Sequence, residues 1–176
     1  MSRCLTAVVL FAVSTTIVPL AQAKSPCNTP SEVSALQFRQ LQAELNVAAL
    51  KCQGGDFDYA HHYNAFAEKA RPALIENSHQ LRALFARAGK GAGYIDRYST
   101  GVFNEAQIKS QSIPDYCEDR ARLMEKVSAT HAHDLHTLAA QVVGAPYGGE
   151  ACPVKEAAGE AKKTKKVAKK VEKKAG

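Results

Sequence analysis

His131, His133, Asp134 and His136 form the densest group of metal-type donors in the chain. Imidazole and carboxylate are the usual ligands of zinc and related divalent ions. His61, His62 and His79 add imidazoles upstream, and Glu76-Asn77-Ser78-His79 has the Glu-x-x-His spacing of di-metal helical bundles. Such a site needs that spacing twice, with further inward carboxylates, and here it occurs once. The apolar stripe through Leu74, Asn77 or Ser78, and Leu81 turns Glu76 and His79 away from a core. His133 and His136 straddle the inward face of their helix, and His131 falls on it, partly buried. His131, His133 and His136 are therefore candidates for a loosely held ion, and no cofactor is expected.

Other reactive patterns are missing. No Gly-x-Ser-x-Gly or Ser-x-x-Lys string occurs, so no catalytic residue is assigned. Gly89-Lys90-Gly91-Ala92-Gly93 carries a Gly-x-Gly-x-Gly string, but it follows a helix rather than a strand and reads as a connector. Asp115, Glu118 and Asp119 gather in one first helical turn, where they complement the helix dipole. Tyr59, Tyr63, Phe66, Tyr94, Tyr98, Phe103 and Tyr116 fit a core with phenols at its rim better than a ligand groove.

The cysteines carry a stronger signal. Cys4 lies ahead of an apolar run near the amino terminus, which leaves Cys27, Cys52, Cys117 and Cys152. There is no Cys-x-x-Cys, so redox exchange, c-type haem and zinc ribbons lack their signatures. An even count in an exported chain favours disulfides, with three pairings possible. The elements that position these thiols choose between them. Thr29-Pro30-Ser31-Glu32 is a helix start with a capping box. Phe38, Leu41, Leu45, Ala48 and Cys52 then recur on one helical face until Gly54-Gly55. A second helix runs from Asp56 or Asp58 to Ala88, with a kink expected at Pro72. A third spans Tyr94 to Ser112, with Gly101 inside it. A fourth opens at Pro114-Asp115 and carries Tyr116, Leu123, Val127, His131, Leu135, Leu138 and Val142, ending at Gly144. Period-two alternation is absent, so the fold class is all-α: an antiparallel four-helix bundle with coiled-coil-type packing. In that order Cys52 and Cys117 share one end and Cys27 and Cys152 the other. The pairs Cys52–Cys117 and Cys27–Cys152 follow. The chain-entropy account assigns the first about 4 kcal/mol.

The two ends of the chain differ in kind from its middle. Arg3, the apolar run Leu5 to Val18, Pro19 and Ala21-Gln22-Ala23 have the form of a secretory signal, cut between Ala23 and Lys24. The run is too short to span a bilayer, which takes about 20 residues. Residues 155–176 hold nine lysines against three glutamates, a net of +6. Residues 24–154 hold 13 lysines and arginines against 14 acids, a net of −1, so the basic character of the chain belongs to its tail. The expected organisation is a signal over 1–23, a bundle over 24–154 and a disordered Lys/Ala-rich tail over 155–176. Lys162, Lys163, Lys165, Lys166, Lys169, Lys170, Lys173 and Lys174 form a polycation without arginine forks or aromatics. It suits polyanions through counterion release rather than a specific nucleic acid. Outside the cytosol its partners would be lipopolysaccharide, lipid headgroups or cell-wall polymers.

The run Leu41 to Cys52 (LQAELNVAALKC), Tyr63-Asn64-Ala65-Phe66 and Tyr116-Cys117 resemble small exported helical proteins of alphaproteobacteria. The resemblance covers roughly Gln37 to Val127. It implies a helical envelope protein and supplies no catalytic residues. The expected function is therefore non-enzymatic binding in the periplasm or outside the cell, with a His-dependent metal-binding protein or enzyme as the alternative.

Overall fold

Thr29 starts the first helix. In the computed structural model, which describes residues 27–152, the Thr29 hydroxyl accepts from the Glu32 N–H at 3.4 Å. The Thr29 N–H donates to the Glu32 carboxylate at 2.8 Å. This reciprocal cap satisfies backbone donors that an α-helix leaves open, and Pro30 sits where its missing N–H is not needed. The helix, α1, runs Pro30–Lys51.

The second expected helix is divided into α2 (Tyr59–Lys69) and α3 (Arg71–Arg87). They meet at Ala70, which keeps helical dihedrals of φ −88° and ψ 0°. Pro72 falls in the first turn of α3, the one place where a helix accepts proline without losing a bond, so the break sits just ahead of it. The Arg87 guanidinium forks onto the Glu32 carboxylate at 2.8 and 2.7 Å, joining the end of α3 to the start of α1. The third helix, α4, spans Tyr94–Ser112 as its pattern predicts.

The continuous fourth helix is not observed. α5 covers Tyr116–Ala129, Thr130 and His131 are extended with ψ of 135° and 151°, a 3-10 turn spans Ala132–Asp134, and α6 covers Leu135–Val143. The cause lies on α2. The Lys69 ammonium donates to the carbonyls of Val127, Ser128 and Thr130 at 2.7, 3.0 and 2.9 Å. A cation thus satisfies the terminal carbonyls of α5 and meets the negative end of its dipole, and the chain is free to turn. His131 consequently lies outside the helices and is exposed, not partly buried.

α1 is the axis of the molecule. Its Ala35, Leu36, Ala43 and Val47 pack with Leu81, Phe85, Tyr98 and Val102 of α3 and α4. On the opposite flank its Phe38, Leu41, Leu45 and Ala48 pack with Phe66 of α2, Met124 of α5, and Leu135 and Leu138 of α6. The described residues thus form a helical bundle with two apolar clusters either side of one central helix. The sole extended pairing among them is the bridge between Asn28 and Ala151.

Residues 144–152 form a strap across α1. The Gln37 side chain donates to the Gly144 carbonyl at 2.6 Å, and the Tyr147 N–H donates to Gln40 Oε1 at 2.8 Å. Two glycines permit its close approach. A Cβ on Gly101 would stand 2.7 Å from the Tyr147 hydroxyl, which accounts for a glycine inside α4. A Cβ on Gly149 would stand 2.6 Å from Leu36 Cδ1 and 3.0 Å from the Pro146 ring, and both residues are buried. Gly149→Ala should therefore lower the unfolding free energy by about 1–3 kcal/mol, the usual cost of overpacking. Denaturant unfolding measures this, and an unchanged midpoint would contradict the packing of the strap on Leu36.

Candidate functional site

The four thiols are paired. Cys27 and Cys152 form one disulfide, with Cα atoms 4.6 Å apart, and Cys52 and Cys117 the other, at 5.6 Å. Both separations suit an ordinary disulfide, and both pairings are those expected from the helix order. Cys52–Cys117 joins the end of α1 to the start of α5. Cys27–Cys152 closes the strap onto the chain just ahead of α1, where the Asn28 N–H donates to the Glu150 carbonyl at 2.7 Å and the Cys152 N–H to the Asn28 carbonyl at 2.8 Å.

The histidines are not gathered. His131 and His133 stack with ring centres 5.5 Å apart and planes 7° apart, and His133 Nε2 lies 3.2 Å from the Asp134 carboxylate. His136 turns away from them. Its ring stacks on Phe38 at 4.3 Å, and its Nδ1 lies 3.2 Å from the Ser34 hydroxyl. Glu76 and His79 are exposed on α3, and His62 stacks on Phe57 at 4.4 Å. Among the described residues no three His, Cys, Asp or Glu side chains converge as a metal site would require. The eight tail lysines and the Ala23–Lys24 cleavage position lie outside the described residues.

Burial lowers the His136 pKa below its ordinary value, partly opposed by the Ser34 hydrogen bond. The sign follows. A folded state that resists protonating this ring is favoured most above the free-imidazole pKa of about 6.5, and loses that contribution as pH falls through the lowered value. Unfolding midpoints should drop on acidification below about pH 6.5, and drop less in His136→Phe, which keeps the stack on Phe38. Equal acid sensitivity in the two proteins would exclude this ring as the cause.

The most heavily constrained chemistry was not anticipated from the sequence. Glu44 of α1 is only 2% exposed. Its Oε1 accepts from Lys109 Nζ of α4 at 2.8 Å and its Oε2 from Arg120 Nη1 of α5 at 2.7 Å. Arg120, itself 5% exposed, also reaches Asp119 at 2.9 Å. Gln40 donates to Glu44 at 3.4 Å, and Lys51 Nζ donates to the Ser110 carbonyl at 2.7 Å. Tyr116 lies under both the Arg120 guanidinium and the Lys51 ammonium, 5.4 and 5.1 Å from its ring centre. Burial pushes its phenol up to about 12, with Arg120 acting the other way. The Tyr116 hydroxyl and Arg120 Nε are buried without a hydrogen-bond partner. Both Glu44 oxygens are engaged by cations, so the carboxylate offers no free base. The cluster is a joint between helices rather than a reaction centre. Its signal was the polar spacing Gln37, Gln40, Glu44, which has the same period as the half-buried polar stripe Arg39, Gln42, Asn46.

Comparison with protein-family models, with curated proteins and with solved structures finds no match.

Removing one member of a buried ion pair strands the other. Glu44→Leu should cost about 3–5 kcal/mol of unfolding free energy, and adding Arg120→Met should recover part of that loss. A double-mutant cycle by denaturant unfolding measures the coupling, and strictly additive costs would show that Glu44 and Arg120 do not act as a joint.

Proposed function

We propose that this chain is an exported envelope protein, periplasmic or secreted, that works by binding rather than by catalysis. In this reading residues 1–23 are a signal removed at Ala23–Lys24. α1, α2 with α3, α4, and α5 with α6 act as the four arms of an antiparallel bundle, and residues 155–176 contact anionic envelope polymers. The likeness to exported alphaproteobacterial proteins belongs to the same reading.

One observation carries it: charge is partitioned across a covalent clamp. A body of net −1 ends at Cys152, which is tied to Cys27, and a stretch of net +6 begins three residues later. Two disulfides support an oxidising compartment, and no helix among the described residues is long and apolar enough to cross a membrane. A polycation on a near-neutral body draws its affinity from counterion release, so binding is salt-steep and indifferent to sequence or sugar identity. Each lysine near an anionic surface contributes about 1 kcal/mol, so nine suffice for association at low salt.

Co-sedimentation with anionic vesicles tests the reading. The full chain should bind and lose at least about tenfold in affinity between about 50 and 200 mM salt. A chain ending at Val154 should not bind at low salt. Retention by the shortened chain, or a first residue other than Lys24 in protein from the native envelope, would overturn it.

A further inference from the structure

The loop between α3 and α4 forms one wall of a trough with a consistent chemical character. A 340 Å3 depression there has a floor of Phe85, Ala86, Ala92 and Ile95, and its only charged lining residues are Arg82 and Lys90. It shares Phe85 and Lys90 with a second depression of 510 Å3, which continues over Leu84 and Tyr94 to Pro146 and Glu150 of the strap. Both volumes fall in the range of small-ligand sites, about 300–1,000 Å3. Phe85 and Tyr94 meet edge to face at 4.8 Å and make an aromatic floor across the join. Lys90 Nζ and the Arg97 guanidinium stand 5.1 and 5.5 Å from the Tyr94 ring centre. Neither Arg82 nor Lys90 lies within ion-pairing distance of a described carboxylate.

We propose that this trough binds an acyl-chain lipid with a phosphate headgroup, the chain lying on Phe85, Ala92 and Ile95 and the phosphate between Arg82 and Lys90. Charge complementarity decides the occupant. In the first depression an apolar floor whose charged lining is Arg82 and Lys90 alone selects an anionic amphiphile over a neutral one. Two cations lining one depression match a phosphate monoester better than a single carboxylate does. Glu150 lies at the far end of the second depression and excludes the headgroup from there, which orients the lipid. The proposal takes its source of lipid from the envelope reading, but the site is on the body and independent of the tail.

The test uses the full chain at about 0.5 M salt, where the tail is screened, and dodecyl phosphate below its micellar concentration, followed by calorimetry. Saturable one-to-one binding is expected, with dodecyl maltoside at least about tenfold weaker. Lys90→Glu and Arg82→Glu, both at exposed positions, should each weaken dodecyl phosphate about tenfold. Ala92→Trp, which fills the first depression, should weaken it further if the helical circular dichroism is unchanged. Binding should survive removal of residues 155–176, which separates failure of this site from failure of the tail. No saturable binding, equal affinity for the maltoside, or an unchanged affinity in both charge reversals would overturn the proposal.

Discussion

A carboxylate placed in the middle of a central helix and taken out of water is costly unless cations come to it. Glu44 is that group, and its two oxygens dictate how α4 and α5 approach α1. Lys109 and Arg120 must arrive at one point from different helices, which fixes the height of each against α1. The two apolar clusters do not impose this. Leucine, alanine and phenylalanine stripes pack with similar energy at several registers, because hydrophobic burial is non-directional. The polar joint supplies the direction. Its weight is specificity more than net stability, since desolvating three charged groups consumes much of what their attraction returns.

The rest of the architecture protects this joint. Gln37 and Gln40 lie on the same stripe of α1 as Glu44, and they take hydrogen bonds to the strap rather than to water. The strap is in turn seated by the close approach of Tyr147 to Gly101 and of Gly149 to Leu36, and closed by Cys27–Cys152. Cys52–Cys117 clamps the opposite end, where α1 stops and α5 begins. Covalent ties at both ends limit how far the helices can slide past one another, so the buried charges are not asked to hold register alone.

What could be read from the residues follows from where the causes lie. The capping box at Thr29–Glu32 and the bounds of α4 are local, and sequence reading places them correctly. The disulfide pairing was legible because helix order alone sets which ends meet. The break at Thr130 was not, since its cause, Lys69, is 58 to 61 residues away and sits on an ordinary helical surface. Nor was the joint. Gln37, Gln40 and Glu44 share period and polarity with Arg39, Gln42 and Asn46, and nothing in one helix says which stripe is the more deeply buried. His131 was misplaced for the same reason as the break: with the helix ended, periodicity no longer governs its direction. His136 keeps a helical position, but the side chain is held against Phe38 and Ser34 rather than with the other imidazoles.

The proposed tail and the proposed trough solve different parts of one recognition problem. A body of net −1 exerts little long-range pull on an anionic surface, and at physiological salt a charge is felt over about 8 Å. In the proposed reading capture falls to the lysines beyond residue 154, which act without stereochemical demand. Discrimination needs contact, and the trough offers it through an aromatic floor and two rim cations in fixed positions. Cys152 connects them: it anchors the root of the tail beside Asn28, which itself lines the 510 Å3 depression. Linked this way, a tail already on a membrane keeps the trough at high effective concentration over the same lipids, and a modest intrinsic affinity in the trough becomes sufficient. On that proposal the clamp sets which face of the body meets the surface, which a tail on an untethered terminus would leave free.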